Sequence, residues 1–425
     1  RDYYASRGLG DVYKRQILAG AVVVTINQKK SWPELEYELG LVEPSLIVND
    51  GIDYGCRPDI EAAYGDKLRP MDAFKDSAPA ELVDCVGHDD LMVLMFTSGT
   101  TGRSKAVMLS ERNFFTTVEC QVKFGDAMLD YKHEHMPEDK NDVLSNFAIL
   151  PLFHLGTFIC LFIWACKGWA LNLSADIRDF YRDLGLMHSD AIAVAPMLME
   201  AIYKDVKRGR RARLNGIWNP CGSSAMFDGA MLAELAQQGM MITQVYGMTE
   251  TCGDGIINYE QDEKHIRAVG KPDDHAEYKL DETGEICIRG GCVMLGYYKD
   301  PEATAEVLDA DGWFHTGDLA RVDEDGFYYI TGRRKNIIIL DSGENVSPEE
   351  LEDLLSKCEA VKECIVREKG KKICAVIYCG EADQQTVRDF ITETNRTLPL
   401  YKRMSAVEFS TEPLPRTGTG KLLRK

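Results

Sequence analysis

Apolar and polar positions follow two textures along this 425-residue chain. Up to about Gly332, short continuous apolar runs bounded by turn residues alternate with stretches of helical period. Residues 21–26 and 46–48 read as strands, with a helix over 33–41 between them. Residues 91–96, 147–150 and 191–195 continue the series, and the alternation predicts a largely parallel sheet flanked by helices. After Ala268 the runs shorten to period two, and Glu282-Thr-Gly284 and Asp323-Glu-Asp-Gly326 read as hairpin turns. Further on, Ser347 is an expected N-cap, Pro348 opens the helix, Glu350 closes a capping box, and Leu351, Leu354 and Leu355 share a face. Strands over 364–367 and 373–378 and a helix over 384–395 complete the pattern.

One run adds chemistry. The apolar stretch 91–96 empties into Thr97-Ser-Gly-Thr-Thr-Gly-Arg-Ser-Lys105, and Ser110 then offers an N-cap to a helix beginning near Glu111. Gly99 and Gly102 let backbone N–H groups turn toward an anion. Thr97, Ser98, Thr100, Thr101 and Ser104 can donate to phosphate oxygens, and Lys105 adds a compact positive charge. The spacing is not the Walker pattern, which needs lysine directly after its last glycine. A shorter loop of this composition would be an ordinary surface turn; one this long, between a strand and a helix, predicts a nucleotide-phosphate loop.

Length predicts two or three domains. A hydrophobic share of 45% and 36 glycines describe a globular enzyme. The net charge of −19 argues against a nucleic-acid surface, so a phosphate-bearing ligand needs local donors and Mg²⁺. Thirteen cysteines fall without a Cys-x-x-Cys pair, and the Cys160/Cys166 and Cys287/Cys292 couples sit in apolar or strand-like surroundings; free thiols in a reducing cytoplasm are expected. The most apolar stretch, 161–173, is too short for a membrane span and is broken by Lys167 and Gly168. Membrane contact is expected to be peripheral at most. Residues 6–16 resemble the translation of a transposon-based sequencing adapter, so residues 1–16 are expected to be non-native and the chain to be truncated at its start.

The loop resembles the phosphate loop of the acyl-adenylate-forming enzymes, the AMP-binding superfamily of acyl-CoA synthetases, luciferases and peptide-synthetase adenylation domains. Five further motifs of that superfamily follow in its order: Tyr246-Gly-Met-Thr-Glu-Thr251, Gly312-Trp-Phe-His-Thr-Gly-Asp318, Gly332-Arg-Arg-Lys-Asn336, Gly343-Glu-Asn-Val-Ser-Pro-Glu-Glu-Leu-Glu352 and Pro415-Arg-Thr-Gly-Thr-Gly-Lys421. The resemblance covers residues 17–425 and is closest to long-chain acyl-CoA synthetases. It implies an α/β fold: a large N-terminal adenylation domain, 17–332, of flanked mostly parallel sheets plus a distorted β-barrel, and a small α+β C-terminal lid domain, 333–425.

The resemblance also implies roles. Glu250 is the expected Mg²⁺ ligand, since a hard cation takes carboxylate and phosphate oxygens together. Adenine is expected between Cys221–Met226, including Gly222, Ser223 and Ser224, and Tyr246, with Gly247 and Met248 beside it and Thr249 near the α-phosphate. Asp318 would accept the ribose hydroxyls and Arg333 would add a ribose or phosphate contact. Lys335 matches the hinge. Lys421 would bridge carboxylate and phosphate during adenylation, and Lys105 would assist at the phosphates. Amino-acid-activating relatives carry an aspartate after the residue matching Phe153; here His154 follows, in the form of acyl- and aryl-CoA ligases. His154 and Ala225 are therefore expected at the acyl pocket, with Leu155, Phe158 and Ile159 suiting a fatty tail, although a satisfied core histidine is nearly as good a reading of His154. The expected activity is an AMP-forming acid–thiol ligase using ATP, Mg²⁺ and CoA on a fatty carboxylate in the cytoplasm. An acyl-acyl carrier protein ligase, or a non-catalytic acyl-nucleotide binder, is the alternative.

Overall fold

The computed structural model describes residues 20–27, 29–49, 55–74, 87–97, 103–174, 176–223, 227–253, 255–340, 344–370, 372–416 and 422–424. The chain divides into two compact units, one holding the chain up to Tyr278 together with Ile288–Phe314, the other holding Lys279–Cys287 together with His315 onward.

In the first unit, β1 (Val23–Thr25) pairs in parallel with β4 (Leu91–Thr97), while β2 (Ile47–Asn49) and β3 (Leu68–Pro70) form a separate parallel pair. β4 turns back through the glycine-rich loop into β5 (Lys105–Ser110), with Thr97 opposite Lys105. The loop was expected to lead into a helix, but it joins two antiparallel strands. Ala106, Val107, Leu109 and Ser110 are all buried, so this apolar run continues the sheet before the helix begins. The helix Glu111–His135 then starts at the expected cap, where the Asn113 N–H donates to Ser110 Oγ and the Ser110 N–H donates to Asn113 Oδ1 at 2.7 Å.

The second sheet contains β6 (Ser145–Ala148), β7 (Ala170–Leu173), β8 (Ala191–Val194), β9 (Asn219–Ser223), β10 (Thr243–Gly247) and β11 (Gly255–Asn258), in the order β11-β10-β9-β8-β6-β7. All neighbours are parallel except β10 and β11. β6 begins two residues earlier than the apolar run suggested. Successive side chains alternate faces: Phe147 and Ile192 pack with the helices Pro196–Lys207 and Gly229–Gln237, whereas Ala191 and Trp218 pack with Phe114, Phe158 and Trp164 on the other side. The apolar stretch 161–173 is shared between the helix Leu155–Cys166 and β7, and no helix among the described residues is long and apolar enough to cross a membrane.

β12 (Ala276–Leu280), β13 (Glu285–Gly290), β15 (Phe314–Val322) and β16 (Tyr328–Arg333) form a four-stranded sheet in that order, in the region expected to hold the distorted barrel. Both expected turns close there, with Gly284 at φ 83° and Gly326 at φ 84°. The short β14 (Gly296–Tyr297) instead joins β5 in the first sheet.

The rest of the second unit has β17 (Ile338–Ile339) paired with β18 (Asn345–Val346) and a sheet of β19 (Glu363–Lys369), β20 (Lys372–Tyr378) and β21 (Ala406–Ser410). The helices Pro348–Ser356 and Gln384–Thr397 bury Leu351, Leu355, Val387 and Ile391 in its own core. Ser347 stands at the N-cap without capping: its hydroxyl donates to the Thr331 carbonyl at 2.7 Å, and Glu350 pairs with Lys402. The Ser347 side chain is turned toward β16 and accepts no cap hydrogen bond from its own helix. The proposed boundary at 332/333 lies inside this second unit.

Candidate functional site

Because β6, β8, β9 and β10 run the same way, their carboxyl ends share one sheet edge, the usual place for ligands in open α/β sheets. Gly222 and Ser223 end β9 opposite Gln244 and Val245 of β10, so Tyr246–Thr249 continue beyond the same edge. His154 reaches that edge from β6 by a turn in which its N–H donates to the Pro151 carbonyl, and it precedes the helix Leu155–Cys166. Gly222 is buried with the Phe227 ring against it, and a Cβ there would lie 2.5 Å from Phe227 Cε2. Leu155, Phe158 and Ile159 are buried in the core, with Phe158 edge-on to Phe114 at 5.8 Å.

After β10 the chain makes one turn, Thr249–Thr251, fixed by buried Thr251, whose Oγ donates to the Met248 carbonyl. This turn presents Thr249 and Glu250. The Met294 N–H donates to the Glu250 carbonyl and the Tyr297 hydroxyl donates to Glu250 Oε1, each at 2.9 Å. Lys105 Nζ lies 4.6 Å from the centre of the Tyr297 ring. β5 and β14 create this line by setting Val107 opposite Tyr297. Burial first, and then the Glu250 carboxylate, push the Tyr297 hydroxyl well above the ordinary tyrosine range, so Tyr297 stays a hydrogen-bond donor. Thr97 Oγ donates to the Lys105 carbonyl at 3.4 Å. Ser98, Gly99, Thr100, Thr101 and Gly102 lie outside the described residues, as do Ser224, Ala225 and Lys421 and the side chain of Ser223. A Glu250 carboxylate oriented through one oxygen, with a lysine nearby, is a donor set that fits Mg²⁺ and phosphate.

In the second unit, Asp318 and Arg333 face each other across β15 and β16, and Arg333 Nε lies 2.6 Å from Asp318 Oδ1. Asp318 is 4% exposed. Gly317 before it has φ 72°, which an L side chain rarely adopts. The Gly317 N–H donates to Glu285 Oε1 at 2.6 Å, and Arg334 Nη1 donates to Glu285 Oε2 at the same distance. Lys335 sits exposed in the single turn Arg334–Asn336.

The residues flanking Lys421 are fixed in this unit. Arg416 bridges to Leu422, Leu423 N–H donates to the Pro415 carbonyl, Arg416 pairs with Glu363, and Arg424 pairs with Glu352 and Glu349. Sequence reasoning missed Tyr297 and Glu285. Tyr297 carries no local signal, being one aromatic in Leu-Gly-Tyr-Tyr. Glu285 did carry one: a carboxylate immediately before the buried run Ile286-Cys-Ile288 needs partners.

The chain matches the profile described as AMP-binding enzyme over residues 17–298. It is similar to a feruloyl-CoA synthase of an Amycolatopsis species, 31% identical over 96% of this chain and 83% of the relative. It is also similar to a long-chain-fatty-acid–CoA ligase of Salmonella typhimurium, 31% identical over 79% of this chain and 61% of that relative. The o-succinylbenzoate CoA synthetase of Bacillus subtilis, solved with the acyl-adenylate intermediate OSB-AMP, shares the fold with TM-score 0.79 at 24% identity, over 98% of this chain and 85% of that one.

Proposed function

Since the chain belongs to the AMP-binding enzyme family, we propose that it is an AMP-forming acid–thiol ligase that activates a fatty carboxylate as acyl adenylate and transfers it to CoA. The observation that carries this reading is the line Lys105–Tyr297–Glu250 beside the carboxyl edge of the parallel strands. Adenylation brings two anions together, so the site must neutralise charge and align an in-line attack. Lys105 supplies a fixed cation. Glu250 would hold Mg²⁺, which supplies charge neutralisation at the phosphates when bound, and Tyr297 orients the carboxylate. Asp318 suits ribose hydroxyls, Lys335 a hinge, and Lys421 the carboxylate–phosphate bridge. The domain division at 332/333 belongs to the same proposal.

The acid is the finer part. No carboxylate follows Phe153 to pair with an ammonium group, which supports an uncharged tail, and the relatives are named for both an aryl and a long-chain acid. Pyrophosphate release should be measured across fatty acids of graded length, hydroxycinnamic acids and amino acids, with CoA as acceptor. A fatty acid as best substrate is the expected outcome. A hydroxycinnamic acid would move the substrate class to aryl acids, and an amino acid would overturn the reading of His154.

A further inference from the structure

The helix Trp32–Val42 carries a charged residue where a core residue belongs. Glu38 is fully buried, between the core residues Leu35 and Leu39, and its Oε2 has no hydrogen-bond partner among the described residues. Its Oε1 accepts from Lys30 Nζ. A buried ion pair with a half-satisfied carboxylate is weak as a source of stability, because desolvation rivals the Coulombic gain and an apolar pair of similar volume would do as well. The arrangement is better explained by what Lys30 touches next. Lys30 Nζ donates to Ser104 Oγ at 3.3 Å and lies 5.8 Å from the centre of the Phe96 ring. Phe96 is near the end of β4, and Ser104 directly precedes β5. The neighbouring Tyr37 receives the Arg103 guanidinium 5.1 Å from its ring centre. The helix and Lys30 therefore grip both ends of the connection between β4 and β5.

A hydroxyl has one donor and two acceptor sites. When Oγ accepts from an ammonium group, its own O–H is directed elsewhere and polarised, since hydrogen bonds in a chain strengthen one another. We propose that Lys30, pinned by buried Glu38, is a positioning residue for the nucleotide site: it holds Ser104 as a hydroxyl donor toward phosphate and fixes the spacing of the two strand ends. The inference rests on the proposed ATP-dependent function and adds to it Lys30 and Glu38, which lie outside the six motifs.

The test uses Lys30→Met, Lys30→Arg and Ser104→Ala in the full chain, with steady-state kinetics and the ATP-induced rise in melting temperature. Lys30→Met should raise KM for ATP on the order of tenfold, the range for losing a charge-assisted hydrogen bond, and leave kcat and KM for the acid within about twofold. Lys30→Arg should restore most of the loss. Ser104→Ala should give a similar increase and add little in the Lys30→Met background, because both act through one hydroxyl. Equal effects on both substrates, a lowered melting temperature with unchanged KM for ATP, or additive effects would each overturn the role. If the parent binds ATP but releases no pyrophosphate, the functional reading fails while a smaller ATP-induced shift in Lys30→Met upholds the positioning role. A parent chain that does not bind ATP overturns both.

Discussion

Tyr297 and Glu250 show how one hydrogen bond can set the direction of a carboxylate proposed to hold a metal ion. The tyrosine is 7% exposed, and its hydroxyl reaches Glu250 across a gap that no other described donor bridges. Tyr297→Phe keeps the ring beside Lys105 and removes only the O–H, so stability should fall by ~1 kcal/mol, as for an ordinary hydrogen bond. Activity should fall about tenfold or more, with a raised Mg²⁺ requirement, because an unoriented carboxylate loses the preorganisation of a supported ligand. Melting curves and Mg²⁺ titrations of the initial rate would measure both; an unchanged Mg²⁺ requirement would remove Tyr297 from the site. Glu250 was legible in the sequence because its motif is contiguous. Its partner was not, because the two meet only through the pairing of β14 with β5.

At the scale of elements, the end of β9 depends on an absent side chain. Gly222 lies so close to Phe227 that Gly222→Ala must displace either the ring or the strand end. Overpacking of this kind costs ~1–3 kcal/mol, and the strand end is where Ser223 leaves the sheet. Gly222→Ala should therefore lower the melting temperature and raise KM for ATP together, and Phe227→Leu in the same chain should recover part of both. A double variant no better than the single one would show that the ring is not the obstacle. Alternation of strands and helices was readable here because the parallel strands are short, apolar and separated by periodic helices. β5 was not readable, since its residues follow a hydroxyl-rich loop and stop at a residue that also caps a helix. The N-cap role of Ser347 failed for a different reason: its hydroxyl is turned toward a carbonyl on β16, a partner that local sequence does not show.

For the molecule as a whole, titration should report on the second unit. Burial raises the Glu352 carboxyl above the ordinary glutamate range, with Arg424 opposing it. A carboxyl whose folded value is raised holds its proton more readily folded than unfolded. Stability is therefore independent of pH below the ordinary glutamate value and falls as pH rises through the raised one. Glu352→Gln cannot titrate, so melting temperatures from acidic to neutral pH should fall for the parent relative to this variant; parallel profiles would place the sensitivity elsewhere. The bulk charge of −19 gave no hint of this, because it averages over groups whose surroundings differ.

The interleaving of the two units has a consequence in time. Met294, Tyr297, Ala303 and Phe314 complete the first unit's core, yet they follow Lys279–Cys287, which belongs to the second. During synthesis at ~5–20 residues per second, the emerging Glu285 must wait a second or more for Gly317 and Arg334, its eventual partners. The first unit cannot close until a piece of the second has emerged, and that piece must then wait for His315 onward. A nascent chain paused between Cys287 and His315 would therefore expose an unfinished core and an unpaired buried acid at once, and chaperone occupancy should concentrate in that interval.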